Sequence, residues 1–267
     1  MKSVHFIIFI ISLVLTVLGI YSFGVIPAMA LFLSILLHEL GHWTWFMLRG
    51  EQAFIAASPF AGICMPMTKH NTKKPTLFAQ GLLLLAGCGL SFLVAFFIWV
   101  IDLASFGQTL ISGSDFWVLL FFFLIINNLV NLLLYFPGLL DGARFLAVIQ
   151  TGHGYGRTVF FIASSLFSYA LLTPVIAILF IGMSIWLGLP EILPRRESSS
   201  YISVKGDSLK LLPGFDKRNT HNQLLSSEER RILLLVFGVI TLGSLVLLIL
   251  QPQAKALCWN WLRHIMN

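Results

Sequence analysis

The residues best suited to chemistry in this sequence are three close neighbours, His38, Glu39 and His42. In an α-helix, side chains four residues apart lie on one face, one turn apart, so both imidazoles can reach a single metal ion. Glu39 projects about 60° from His42 around such a helix, so its carboxylate can reach a water beside the ion without being a ligand. We therefore predict a hydrolytic metal site in which Glu39 activates the attacking water.

Zinc is the expected metal, because catalytic zinc takes three protein ligands and keeps its fourth position for water. The third ligand must come from another part of the chain, since nothing suitable follows in the same apolar stretch. Apart from Glu39, Asp141 is the only acidic residue embedded in apolar sequence, and Pro137 and Gly142 allow the chain to turn beside it. The alternative is a solvated aspartate at a surface turn. We predict the two histidines and Asp141 as the ligands of Zn2+.

The elements that must position these residues are long apolar stretches. Residues of the apolar and aromatic set make up 58% of the chain and charged residues only 10%, against about 25% charged in soluble domains. A helix needs about 20 apolar residues to cross a bilayer. We predict an all-α polytopic membrane protein with six to seven transmembrane helices. Its apolar stretches cover residues 4–22, 28–48, 79–101, 116–136, 158–188 and 231–250.

The stretch 158–188 decides the number of spans. It is too long for one untilted helix, and Pro174 at its middle disfavours a continuous one. The loops 49–78 and 189–230 are basic and should be cytoplasmic, whereas 102–115 carries no Lys or Arg and should lie outside. A hairpin that turns near Pro174 satisfies these biases with a cytoplasmic N-terminus, so seven spans are favoured over six.

The chain divides into three predicted regions. Residues 1–190 form a membrane-embedded metalloprotease core, 191–230 a polar cytoplasmic linker, and 231–267 an additional C-terminal transmembrane helix with a short tail. The net charge of +6 reflects membrane topology, because the basic residues lie between apolar stretches. We therefore expect a lipid bilayer and no nucleic acid as partner. The three cysteines are too few and too scattered for a disulfide framework or a thiolate metal site.

Two motifs carry a resemblance to a known family. The segment His38–His42 reads H-E-x-x-H, and Leu140–Gly142 reads L-D-G. In this order they resemble the site-2 protease family of intramembrane zinc metalloproteases, especially the compact branch that includes the sporulation sigma-factor processing protease. The resemblance covers about residues 25 to 190. It implies a zinc metalloendopeptidase that carries out regulated intramembrane proteolysis on a membrane-spanning or membrane-associated protein.

The resemblance also implies three supporting features. A polar Asn of the family lies eight residues before the Asp, where this chain has Leu133; Asn131 lies ten residues before it and Asn127 and Asn128 lie further back, and of these we name Asn131 as the predicted equivalent. Asparagines that join helices by hydrogen bonds are the alternative. The apolar but Pro- and Gly-interrupted segment 55–67 matches a strand hairpin that dips into the membrane beside the active site, with an ordinary cytoplasmic loop as the alternative. The small residues 86–89 replace an Ala-Gly-Pro sequence of the family and predict close helix packing.

Other functions fit parts of the pattern. A metal-ion or proton transporter could use the same buried His and carboxylate groups, but the other apolar stretches are nearly devoid of charge. Prenyl-protein endopeptidases take a Glu as third ligand, and no glutamate besides Glu39 is embedded in an apolar stretch. A non-catalytic scaffold is disfavoured by the complete H-E-x-x-H motif. The compactness of the chain favours a bacterial plasma membrane as its location.

Overall fold

The fold was analysed in a computed structural model that describes residues 2–67, 76–104, 115–133, 141–149 and 225–251. The described part is mostly helical, with one small antiparallel sheet. The elements are α1 (Lys2–Phe23), α2 (Val25–Leu48), β1 (Ala53–Ala57), β2 (Gly62–Pro66), α3 (Leu77–Ala104), α4 (Asp115–Leu133), α5 (Asp141–Ile149) and α6 (Ser227–Leu250).

Five of the described helices, α1 to α4 and α6, are long and apolar enough to cross a membrane. They coincide with five of the six predicted apolar stretches, so the predicted helical fold is confirmed and five candidate membrane spans are present. The remaining stretch, 158–188, lies outside the described residues, as does most of the predicted linker 191–230. The choice between six and seven spans therefore stays a prediction.

Contacts divide the described chain into two compact units. One holds α1, α2, the two strands, most of α3 and α4, and the second half of α6. The other holds the start of α3, the end of α4, α5 and the first half of α6.

Glycines mark both ends of α2, the helix with the predicted metal ligands. Gly24 alone separates α2 from α1 and has φ +80°, a backbone conformation that favours glycine. At the other end, Gly50 has φ +71°. Its N–H donates to the carbonyl of Met47, and the N–H of Glu51 donates to that of Phe46, at 2.9 Å each. This Schellman motif ends the helix and turns the chain directly into β1.

Strands β1 and β2 form the predicted hairpin between the second and third apolar helices. Their antiparallel register runs from the pair Ala53 and Pro66 to the pair Ala57 and Gly62. The hydroxyl of Ser58 fixes the tip, donating to the carbonyl of Ala61 at 3.0 Å and accepting from its N–H at 3.1 Å. The strand hairpin is therefore confirmed, and its depth in the membrane stays a prediction.

Helix α1 packs along the hairpin. The hydroxyl of Ser12 donates to the carbonyl of Ala57 at the end of β1. Gly19 lies so close to Pro59 that an added Cβ would be 2.8 Å from Cγ of the proline. Most of the other side chains of α1 are apolar and exposed in the protein, as lipid-facing residues are.

Helices α3 and α6 run parallel to each other. In the first unit, Gly243 of α6 receives the ring of Phe92, since a Cβ there would lie 2.6 Å from Cε2 and Cζ. Further along both helices, the amide of Gln251 donates to Oδ2 of Asp102 at 3.3 Å. From the first pair to the second, the residue number rises in both helices. The two helices therefore point in the same direction, and their N-terminal ends lie at the same end of the helix pair.

In the second unit, the start of α6 is capped by its own residues. The hydroxyl of Ser226 accepts from the N–H of Glu229 at 3.1 Å, and the Glu229 carboxylate accepts from the N–H of Ser226 at 2.9 Å. This capping box starts the helix at Ser227, four residues before the predicted start of the C-terminal region. Gly81 of α3 packs against the side chain of Leu233 below the cap.

Candidate metal centre

The imidazoles of His38 and His42 converge on one face of α2. Both side chains are buried, and their Nε2 atoms lie 3.2 Å apart with the rings nearly perpendicular. Two nitrogen ligands of a tetrahedral zinc ion, each at a bond length of 2.0–2.1 Å, are separated by about 3.3 Å. The spacing of the two nitrogens therefore suits a shared ion.

Asp141 completes a group with metal-binding geometry. One ligand atom from each of His38, His42 and Asp141 lies within 4.8 Å of the others, and all three residues are buried. No other group of three His, Cys, Asp or Glu side chains in the described part of the chain has this spacing. The structure thus brings together the three ligands predicted from sequence, and the group could hold a metal ion.

The space beside the imidazole pair fits an ion because of Gly87 on α3. A Cβ built at Gly87 would lie 2.6 Å from Nε2 of His42 and 2.7 Å from Nε2 of His38. Any side chain at this position would therefore fill the region in front of both nitrogens. Two imidazole nitrogens and a carboxylate oxygen are an ordinary ligand set for zinc. The donors and the open space both fit a metal ion.

A second glycine, Gly41, explains how α3 comes so near. A Cβ at Gly41 would lie 2.2 Å from the carbonyl oxygen of Ala86 and 2.8 Å from Cα of Gly87. The backbones of α2 and α3 are thus in direct contact, as small residues permit in membrane helices. Gly41 lies inside the H-E-x-x-H segment, so one stretch of sequence supplies two of the predicted ligands and the helix contact. The close packing predicted for residues 86–89 is present at this contact.

Glu39 lies against the hairpin, with its side chain buried. A Cβ at Gly62, the first residue of β2, would lie 2.6 Å from both Cγ and Oε1 of Glu39. Cys64 follows on the same face of β2, outside the five apolar helices. Burial, and secondly the negative charge of Glu39, raise the pKa of Cys64 to about 12. Cys64 therefore stays a neutral thiol at physiological pH.

The L-D-G segment reaches its place through Gly142. A Cβ at Gly142 would lie 2.2 Å from the carbonyl oxygen of Leu132 and 2.7 Å from that of Asn131. The first turn of α5, which begins with Asp141, therefore packs directly on the backbone at the end of α4. Asn131 is half-buried beside this contact. Its supporting role stays a prediction.

Two residues of the site were not recognised in the sequence. Gly87 was expected only to allow packing, and Cys88 was given a packing role, yet Sγ of Cys88 lies 3.9 Å from Nδ1 of His38. The sequence signal for both residues was the run of small residues 86–89. Such a run indicates that another helix packs closely there, but it does not identify which residues of that helix are contacted. The position of Gly62 could not be inferred, because the pairing of the hairpin with α2 is a tertiary contact.

Comparisons with known proteins add no relative. The sequence matches no protein-family model, and a search of curated proteins finds no match.

Proposed function

We propose that this protein is an intramembrane zinc metalloendopeptidase. The observation that carries the proposal is the buried group of His38, His42 and Asp141, with Glu39 one residue from the first ligand. Ionisable side chains in apolar helices are costly and tend to serve a function. Four of them occur here, and their types are those of a hydrolytic zinc site.

The three ligands would hold Zn2+, which acts as a Lewis acid and makes water more acidic. Glu39 is the general base: its carboxylate accepts the proton of the water that attacks the peptide carbonyl. The same side chain then returns the proton to the leaving amine. Burial of Glu39 keeps bulk water away from the carboxylate and strengthens its electrostatic interactions.

The substrate class follows from the membrane environment. His38, Glu39 and His42 lie in α2, one of five described helices that are long and apolar enough to cross a membrane, so the substrate is a membrane-spanning or membrane-associated protein. A helical substrate must unwind locally, because its peptide carbonyls are engaged in its own hydrogen bonds. An unwound segment can pair with an edge of the β1–β2 hairpin through main-chain hydrogen bonds.

The parallel packing of α3 and α6 supports the seven-span topology. Helix α3 leaves the side on which it starts, and α4 returns to it. Because α6 also starts on that side, we propose that the chain between α4 and α6 crosses the membrane an even number of times. A hairpin of two spans in 158–188 meets this condition, and a single span does not. The basic loops and the N-terminus then lie in the cytoplasm of a bacterial cell.

The test uses the purified protein in detergent and in proteoliposomes, with unstructured casein as substrate. We expect about one zinc ion per chain in the wild type and little in His38→Ala or Asp141→Ala. A zinc chelator should stop cleavage, and added zinc should restore it. Glu39→Gln should keep the ion and lose at least about 100-fold in rate, as expected when a general base is removed.

Two results would contradict the proposal. Cleavage by Glu39→Gln at the wild-type rate would remove the assigned base. Zinc flux into wild-type proteoliposomes that persists in Glu39→Gln, without cleavage in either protein, would instead establish the transporter.

A further inference from the structure

Strand β2 lies directly against the side chain of Glu39, and Gly62 is the point of contact. Besides the two contacts at 2.6 Å to Glu39, a Cβ at Gly62 would lie 2.7 Å from Cγ2 of Ile35. Ordinary van der Waals contact begins at 3.4 Å. To make room for a methyl group at Gly62, Cγ and Oε1 of Glu39 would have to move away by about 0.8 Å. The backbone of β2 at Gly62 therefore borders the space that the carboxylate occupies.

The position of β2 is held by contacts that do not involve Glu39. Five residue pairs hold β2 to β1. Beyond the strands, the N–H of Met67 donates to the carbonyl of Gln52 at 2.7 Å, and that of Ser58 donates to Ala61 at 2.9 Å. The Ser12 hydroxyl ties the end of β1 to α1. The hairpin thus keeps its position through its own hydrogen bonds and its anchor on α1.

The contacts of Gly62 separate the base from the metal ligands. Its three nearest atoms belong to Glu39 and Ile35, whereas the three nearest to Gly87 include both Nε2 atoms of the ligands. One glycine thus leaves room for the general base and the other leaves room for the ion. A change at Gly62 should consequently affect proton transfer and leave metal binding intact.

We infer that Gly62 is a positioning residue: by lacking a side chain, it lets β2 hold the Glu39 carboxylate in the orientation that proton transfer requires. The inference rests on the proposed function. It connects the hairpin, where an extended substrate would bind, to the group that activates water. A displacement of about 1 Å in a reacting group can lower a rate about 100-fold.

The first test is kinetic. Gly62→Ala should retain wild-type zinc content and KM for casein, while kcat falls about 10- to 100-fold. Gly238→Ala is the matched control, because a Cβ at Gly238 meets nothing within 4 Å, and its kcat should equal that of the wild type. Glu39→Asp shortens the side chain by one methylene. The fold-decrease in kcat caused by Glu39→Asp should therefore be smaller in the Gly62→Ala protein than in the wild type.

The second test reads the geometry without activity. In a protein whose three native cysteines are replaced by serine, Glu39→Cys with Gly62→Cys should form a disulfide under mild oxidation. Glu39→Cys with Ile63→Cys should not, since neighbouring residues of a strand face opposite sides. The disulfide is detected by peptide mapping.

The outcomes separate the inference from the proposed function. A wild-type kcat in Gly62→Ala, or equal cross-linking of both cysteine pairs, would overturn the positioning role alone. A zinc-loaded wild type that cleaves nothing would overturn the proposed function, and the positioning role with it. Selective cross-linking together with a fall in kcat at constant zinc content is the expected result.

Discussion

Sγ of Cys88 lies 3.9 Å from Nδ1 of His38, at the edge of the ring opposite to the nitrogen that faces His42. Histidines that bind metals are usually oriented through the ring nitrogen that is not a ligand. Cys88 is fully buried, so the thiol is held in place by the packing of α3. Two adjacent residues of α3 thus lie at the two nitrogens of the His38 ring. Gly87 leaves space in front of Nε2, and Cys88 contacts Nδ1.

Replacing Cys88 should weaken metal binding. Cys88→Ala removes the contact with Nδ1 of His38, and we expect zinc affinity to fall about 10-fold or more, as for other partners of metal-bound histidines. Cys88→Ser retains a polar atom and should stay closer to the wild type. The dissociation constant is measured by competition with a chromophoric chelator. Cys64→Ser is the control, and unchanged affinity in Cys88→Ala would contradict the orienting contact.

A methyl group at position 87 should exclude the ion. Gly87→Ala places a Cβ within 2.7 Å of both ligand nitrogens, so we expect loss of bound zinc and of cleavage. Gly89→Ala adds the same group two residues away on α3, where its nearest contact is an ordinary 3.8 Å to Ile240. The control should bind zinc like the wild type. Equal zinc content in both variants, measured by atomic absorption, would show that Gly87 does not border the site.

The carboxylate of Asp141 should be needed for tight binding. Asp141→Asn keeps the shape of the side chain but removes its negative charge, and we expect zinc affinity to fall at least about 10-fold, since zinc favours anionic oxygen ligands. Asp102→Asn changes another buried aspartate, which pairs with Gln251 outside the site. It should leave zinc affinity unaltered. A parallel loss in both variants would indicate general destabilisation instead of lost coordination.

Most of the fold was predictable from local sequence. Apolar stretches near 20 residues identified the five candidate spans that the structure describes, and Pro59 and Gly62 marked a segment in which a helix is disfavoured. The ligand pair was predictable because His38 and His42 are related by helix geometry alone. Asp141 was found by elimination, as an acidic residue in apolar sequence.

The remaining features depend on which elements meet. Gly41, Gly62 and Gly87 are informative only through the atoms that an added Cβ would contact, and those atoms lie on other elements. The same holds for Cys88, whose neighbour His38 is 50 positions away in the sequence. A single sequence shows the hydrophobic periodicity and the composition of each segment, but not which residues of other elements a glycine or cysteine contacts.

The seven-span topology can be tested with single cysteines in a cysteine-free protein and a reagent that does not cross membranes. Thr76→Cys and Ser227→Cys, before α3 and at the start of α6, should react only from the cytoplasmic side. Gln251→Cys and Thr173→Cys should react only from outside. A six-span chain would place Ser227 outside, so labelling of Ser227→Cys in intact cells would contradict the proposal.

The pairing of α3 with α6 has a consequence for biogenesis. The ribosome releases α6 long after α2, the hairpin and α3, yet α6 supplies the groove at Gly243 that receives Phe92 and the amide that binds Asp102. Until α6 inserts, the contacts that Phe92 and Asp102 of α3 make with it cannot form. The helix that borders the predicted ligand pair therefore reaches its final surroundings only after α6 has been translated, so the neighbourhood of the centre is completed by a segment that follows all three predicted ligands in the sequence.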